Sequence, residues 1–279
     1  MKINAHQLKV LSKKYALDYN ISAHEVLQNY MLERVLFRLS ISKYSTQFIL
    51  KGGLFITSLI GLGDRSTMDL DANVRGIDLE PQNISDILFE ILNLDAHDGI
   101  YFKLISVENI RVNEEYEGIR FKIMATLENI EVHLRLDLSS GDIITPNALS
   151  YEYPMIFNHS SIQILTYSIE TVLAEKLHAI LELNGSKGRM KDYYDIYYFV
   201  SMRSSSINYE TLRLAIKNTF YARKSLDILD KANEILEQIS RSLILSKKWN
   251  EYSQKHSYTK HITFRSTIDS ISKLLSRIQ

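Results

Sequence analysis

The chain has 279 residues, with 33 Lys and Arg against 33 Asp and Glu, 45% hydrophobic content and no cysteine. That is enough apolar material for one large or two modest domains, and it excludes disulfides and thiolate metal sites, as expected in a reducing cytosol. No apolar run approaches the roughly 20 residues of a membrane span, and the opening Met1-Lys-Ile-Asn-Ala-His-Gln lacks the apolar core of a signal peptide, so the cytoplasm is the expected compartment.

Residues 1–47 read as helical, with Val26, Leu27, Tyr30, Met31, Val35 and Leu36 spaced as one face of a helix over Ala23–Leu39. A short strand at Phe48–Leu50 enters a glycine turn, and Leu54–Ile60 follows as a short apolar helix. Met68–Val74 is a strand, and Ile84–Leu94 is helical after Pro81. From Tyr101 the pattern turns to period two, predicting strands over Tyr101–Arg111, Gly118–Thr126 and Glu131–Leu138, the last two joined by a turn at Glu128-Asn129. Past Gly141 an irregular stretch containing Pro146 and Pro154 is expected. Helices then run over Ser168–Leu183, Met190–Met202, Tyr209–Arg223, Leu226–Lys247 and Ser266–Ile278. The layout is α+β, a mixed β-sheet core flanked by N-terminal helices and a C-terminal helical bundle. The expected division is residues 1–150 for the core with its N-terminal helices and 151–279 for the helical domain.

The stretch from Lys51 to Asp71 carries the chemistry. Two adjacent glycines make a tight turn, a short helix follows, and two aspartates one residue apart lie on a strand. Side chains alternate faces in a strand, so Asp69 and Asp71 point the same way. Two neighbouring carboxylates favour a hard cation between them, and Mg²⁺ fits. On the later strand Asp137 shares a face with His133, Arg135 and Ser139, which makes it a candidate third ligand for a site holding two metal ions, provided this strand lies beside the Asp69/Asp71 strand. Backbone N–H groups of Gly52 and Gly53 at the helix start form an anion cradle, and Arg65 and Ser66, just upstream of the aspartates, are candidates to contact phosphate oxygens. The pattern reads as metal-dependent phosphoryl or nucleotidyl transfer. His133, His159 and His178 lack metal-ligand spacing and read as structural or surface groups.

A second cluster breaks a local rule. On a helical wheel Lys176 falls among Ile169, Val172, Leu173 and Ile180, whereas Glu175, His178 and Glu182 point outward. In the next helix Asp192 and Asp195 share a face with Ile196 and Phe199. Either Lys176 pairs with one of these aspartates and fixes helix packing, or it meets a nucleotide phosphate while an aspartate orients it or assists the nucleophile. Tyr193, Tyr194, Tyr197 and Tyr198 read as packing groups. Charge is also uneven along the chain: residues 201–279 carry 14 Lys and Arg against 7 Asp and Glu, and residues 1–200 carry 19 against 26. A basic C-terminal region suits contact with nucleic-acid phosphates as well as it suits packing or solvation.

Taken together these stretches resemble the AbiEii/AbiGii toxin family, the nucleotidyltransferase-like toxins of bacterial abortive-infection (type IV) toxin–antitoxin systems. The matching residues are Lys51-Gly52-Gly53, Arg65-Ser-Thr67-Met-Asp69-Leu-Asp71, Leu136-Asp137-Leu138, Ala174-Glu175-Lys176-Leu177 and Arg189-Met-Lys191-Asp192-Tyr-Tyr-Asp195, in family order within residues 51–195. The resemblance implies a nucleotidyltransferase-like core, nucleotide binding at Lys51, Gly52 and Gly53 with Arg65 and Ser66 nearby, and metal at Asp69 and Asp71. It gives Lys176 and Asp192 as required polar groups, with Asp195 the alternative aspartate. It also implies Mg²⁺ and an NTP as cofactor and substrate, an RNA acceptor such as a tRNA 3′ end, and a cognate antitoxin. Where many polymerase-type sequences have Gly-Ser in the turn, this one has Gly-Gly, so a serine contact to phosphate is missing. Transfer to a small-molecule or protein hydroxyl, and a non-catalytic nucleotide-binding module, are the competing readings.

Overall fold

A computed structural model describes residues 3–111, 117–158, 160–183 and 188–278; His159 lies outside them. The chain divides into two units, Met1–Gly141 with Leu149–Thr166, and Asp142–Ala148 with Tyr167–Gln279.

The first unit opens with two helices, α1 (Ala5–Tyr19) and α2 (Ala23–Ile41), each started by a reciprocal capping box. Asn4 pairs with Gln7 and Ser22 with Glu25, so side chains satisfy the free N–H groups of both first turns. Asn20, with φ 52° and ψ 47°, ends α1 and makes the corner. Then come β1 (Phe48–Lys51), α3 (Gly52–Ile60), β2 (Asp69–Val74) and α4 (Pro81–Leu92), followed by β3 (Tyr101–Arg111), β4 (Glu117–Leu127), β5 (Ile130–Ser139), β6 (Leu149–Pro154) and β7 (Ser161–Thr166). The seven strands form one sheet in the order β3-β4-β5-β2-β1-β7-β6. Leu127 pairs with Ile130 across the expected Glu128-Asn129 turn, and Glu128 takes the positive φ, 51°, that such a tight hairpin needs.

Alternation along β5 buries Ile130, Val132, Leu134, Leu136 and Leu138 and leaves Glu131, His133 and Arg135 exposed. The apolar face meets α2 and α4: Val35, Leu36 and Leu39 of α2 and Leu88 and Ile91 of α4 close on Leu50, Leu70, Ala72 and Leu136 of the sheet. By period two, the opposite face carries Lys51, Asp69, Asp71 and Asp137.

Residues 149–166 correct two expectations. The stretch read as irregular supplies β6 and β7, and β7 runs parallel to β1 through Ile49–Leu165 and Leu50–Thr166. The sheet therefore ends after Thr166 rather than near residue 150. Pro154 closes an edge strand, where a missing N–H costs nothing, instead of ruling a strand out.

The second unit is helical: α5 (Ile169–Glu182), α6 (Met190–Tyr197) continued by a π-helical turn (Tyr198–Met202), α7 (Tyr209–Ala222), α8 (Leu226–Asp230), α9 (Ala232–Ser240), α10 (Leu243–Lys255) and α11 (Phe264–Ile278). The single helix expected over Leu226–Lys247 is three, because Ser242 accepts from the Leu245 N–H and restarts the chain as α10. Among the described residues no helix is long and apolar enough to cross a membrane.

Candidate active site

The polar face of the sheet lines up charges across strands. Strand register sets Lys51 of β1 opposite Asp71 of β2, Asp71 opposite Asp137 of β5, Asp137 opposite Arg120 of β4, and Arg120 opposite Glu108 of β3. Residues opposite one another on adjacent strands share a face and touch, so one row reads cation, acid, acid, cation, acid. In the next row Asp69 stands opposite Arg135, and Arg135 opposite Lys122. The three acids singled out in the sequence are thus brought onto one face by the β2–β5 pairing.

Their partners differ. Arg120 grips Asp137 with both ends, Nε to Oδ1 at 2.8 Å and Nη2 to Oδ2 at 2.6 Å. Asp69 has Arg135 at 3.3 Å, with the two side chains 38% and 46% exposed. Asp71 is half-buried. Burial pushes its carboxyl up to about 6; Lys51 opposes that, Asp137 and Asp69 add to it, and the Gly53 N–H donated to it pulls it back. Like charge crowded on a buried carboxylate is the condition a divalent cation relieves.

The glycine turn is fitted to these acids. Gly52 has φ +65°, and a Cβ there would stand 2.4 Å from Asp71 Oδ2; a Cβ on Gly53 would stand 2.5 Å from Thr67 Oγ1. Only glycine lets the backbone come so close. α3 begins here with no side-chain cap, and the N–H of Gly53 is used by Asp71. Arg65 is buried near the same turn. Its Nη1 donates to Ser66 O at 2.5 Å, and its Nη2 lies 3.6 Å from the position of a Gly53 Cβ.

The segment leading into β2 is held from α2, through residues that the sequence did not single out. Asn29 Nδ2 donates to Thr67 O at 2.9 Å, Gln28 Nε2 to Met68 O at 2.7 Å, and Ser66 Oγ to Glu25 Oε1 at 2.7 Å. Ser66 thus spends its hydroxyl on α2, and the aspartate strand enters the site at a fixed height. The signal was present in Gln28 and Asn29, two amides set among the apolar residues of α2, both 6% exposed or less.

Among the described residues no three acids or histidines already form a metal nest. The donor set still suits Mg²⁺: Asp69 and Asp71 offer hard oxygens on one face, and the charge crowding at Asp71 calls for a cation. Asp137 sits beside them with both oxygens committed to Arg120.

In the second unit Lys176 is 8% exposed and pairs with both candidate aspartates, Nζ to Asp192 Oδ1 at 2.7 Å and to Asp195 Oδ2 at 2.8 Å. Arg189 Nε stands 2.8 Å from Asp192 Oδ2, so two cations balance two acids. Each buried charge is compensated, as burial demands. His178 corrects the sequence reading: it is fully buried rather than outward. Its Nδ1 accepts from Arg223 Nη1 at 3.0 Å, its Nε2 donates to Ser225 Oγ at 2.8 Å, and Phe220 packs edge-on. α7 covers that side of α5, which one wheel drawn for one helix does not reveal. Glu175 turns likewise to Arg223, at 3.1 Å. Tyr193 and Tyr194 are buried packing groups, against Phe264 and Tyr258.

No curated protein matches the sequence. Among solved structures, one described as a nucleotidyltransferase from H. pylori aligns at 14% identity with a TM-score of 0.54, covering 92% of this chain and 96% of that one. JHP933 from Helicobacter pylori aligns equally well, at 14% identity and TM-score 0.54, over 92% of each chain. At such identity the likeness is one of fold. The family model for the nucleotidyl transferase AbiEii toxin of type IV toxin–antitoxin systems matches residues 34–270, which takes in both charged clusters, and the chain belongs to that family.

Proposed function

We propose that this nucleotidyltransferase toxin moves a nucleoside monophosphate from an NTP to an RNA 3′ hydroxyl, with the tRNA 3′ end as acceptor, and so blocks translation in the cytoplasm until a cognate antitoxin relieves it. The observation that carries the reading is the register that sets Asp71 between Lys51 and Asp137, with Asp69 on the same face and the glycine turn against them.

In this reading Asp69 and Asp71 would hold Mg²⁺, which when bound polarises the α-phosphate and screens the triphosphate. The remaining work belongs to the chain. Gly52 and Gly53 let the backbone approach the phosphates, and Lys51 and Arg65 supply positive charge around the turn. The carboxylate face orients the attacking hydroxyl and takes its proton as pyrophosphate leaves. Lys176 and Asp192, with Asp195 the alternative aspartate, are the second required group, on the family resemblance and on their burial. The basic helices of residues 201–279 favour an RNA acceptor over a neutral one.

Incubating the purified protein with each labelled NTP and total tRNA, then running a denaturing gel, tests this. Label in tRNA, lost in Asp69→Ala, is the expected result. Label in a small molecule or a protein instead would overturn the acceptor, and transfer retained by Asp69→Ala would overturn the site.

A further inference from the structure

We propose that Arg120 and Arg135 are exchangeable counterions: each holds an acid of the site until the divalent cation arrives, then passes to the anionic substrate. The inference rests on the metal-dependent reading above. Two facts on the polar face carry it. Both oxygens of Asp137 are engaged by Arg120, and Asp69 is paired with Arg135. With Lys51 opposite Asp71, three acids face three cations, and the face is balanced before anything binds. A cation drawn to Asp71 gains Asp137 or Asp69 as a full ligand only when the arginine on that acid leaves, and an arginine leaving needs somewhere to put its charge. The triphosphate of the substrate is that place.

Exposure decides which of the two clusters can exchange. The Arg120 and Asp137 side chains are 31% and 18% exposed, and Arg135 and Asp69 more so. Water can therefore solvate either partner during the swap, and each guanidinium sits on a strand facing outward. In the second cluster only Arg189 is exposed, at 61%; Lys176, Asp192 and Asp195 are at 10%, 3% and 0%, so the lysine that bridges the two acids has no comparable freedom. Arginine suits the role because its planar fork matches a carboxylate and a phosphate equally well. Cation and nucleotide then bind cooperatively, each weakly alone and tightly together.

The test is Mn²⁺ binding to the full chain, followed by calorimetry, first without nucleotide and then with a non-hydrolysable NTP analogue. In wild type the analogue should tighten Mn²⁺ by about tenfold or more, the reach of one strong charge-assisted contact. Arg120→Gln should bind Mn²⁺ alone about tenfold more tightly than wild type and lose most of the tightening by the analogue. Arg120→Lys keeps the charge but not the fork and should fall between. Lys122→Gln removes a neighbouring charge paired with Glu108 and should change Mn²⁺ affinity by about twofold at most. Arg120→Gln with a wild-type melting temperature and unchanged or weaker Mn²⁺ affinity would overturn the exchange, as would Lys122→Gln matching its gain. Wild type that binds no Mn²⁺ even with the analogue would overturn the metal reading along with it.

Discussion

Asp71 of β2 stands directly opposite Asp137 of the parallel strand β5, two like charges about one strand spacing apart on the floor of the site. Stability would be served by a neutral residue at Asp71, because Asp137 has Arg120 to hold it. The site keeps both, and the cost falls on Asp71, whose carboxyl is pushed up to about 6 by burial and by its acidic neighbours.

Asp71→Asn should therefore stabilise the ligand-free protein while abolishing nucleotidyl transfer. A folded carboxyl near 6 against about 3.9 in the unfolded chain means that the folded state holds more protons between those values. Stability accordingly falls as pH rises from about 4 to 6 and stays lower above. After discounting for partial exposure, the variant should gain about 1–2 kcal/mol at pH 7.5, or roughly 2–6 °C in Tm, and the gain should vanish near pH 4. Thermal melts across that range check this; an Asn variant less stable than wild type at pH 7.5 contradicts it.

The glycine turn yields a steric prediction. Gly53→Ala places its Cβ 2.5 Å from Thr67 Oγ1 and 3.0 Å from Thr67 Cβ, so Thr67, two residues before Asp69, has to move. Transfer should fall by about a hundredfold, a loss typical of a misplacement of about 1 Å. Thr67→Ala in the same chain removes the nearer clash and should restore part of the rate. Gly52→Ala should be worse, because it adds a strained positive φ to a contact with Asp71 itself, and no change at Thr67 should help it.

Most of this site was legible because the rules that made it are local. The period of two assigned Asp69, Asp71 and Asp137 to faces, and the Gly-Gly turn announced a backbone that approaches something closely. What was not legible depends on partners distant in sequence. Nothing near Asp137 says that Arg120 will take both its oxygens; that follows from the β4–β5 register. Asn29 and Gln28 read as polar interruptions of α2 until the carbonyls of Thr67 and Met68 are seen above them. β7 escapes the pattern although Ser161-Ile-Gln-Ile alternates, because the prolines nearby argue for a loop. A wheel for α5 alone turns His178 outward because it omits α7.

His178 makes a pH prediction of its own. Burial first, and then the Arg223 guanidinium, lower its pKa to about 3, against about 6.5 when unfolded. Glu182, 3.6 Å from Nδ1, and Glu175, on the far side of Arg223, are the acids that face it. The unfolded chain takes up a proton below pH 6.5 that the folded chain refuses, so this group's contribution is present above 6.5 and is lost as pH falls toward 3. His178→Gln keeps an acceptor for Arg223 and a donor for Ser225 without the titration. The stability difference, wild type minus variant, should therefore shrink on acidification from pH 7 to 4. A difference constant with pH would remove His178 from the acid response.

Lys176 separates a packing role from a chemical one. Lys176→Met takes from Asp192 and Asp195 the buried cation they share, and breaking a buried pair in this way costs about 3–5 kcal/mol. Removing the charge from both sides, as in Lys176→Met with Asp192→Asn and Asp195→Asn, takes away the uncompensated acids and should return most of that stability. If the trio only ties α5 to α6, the triple variant should transfer nucleotides at a rate near wild type. If Lys176 and an aspartate serve the reaction, the triple variant should melt normally and remain at least a hundredfold down in rate, as the loss of a required charge implies. We expect the second outcome, because three closely fitted ionic groups are a costly way to join two helices that leucine and isoleucine would join as well. A refolded, active triple variant would assign the cluster to packing alone.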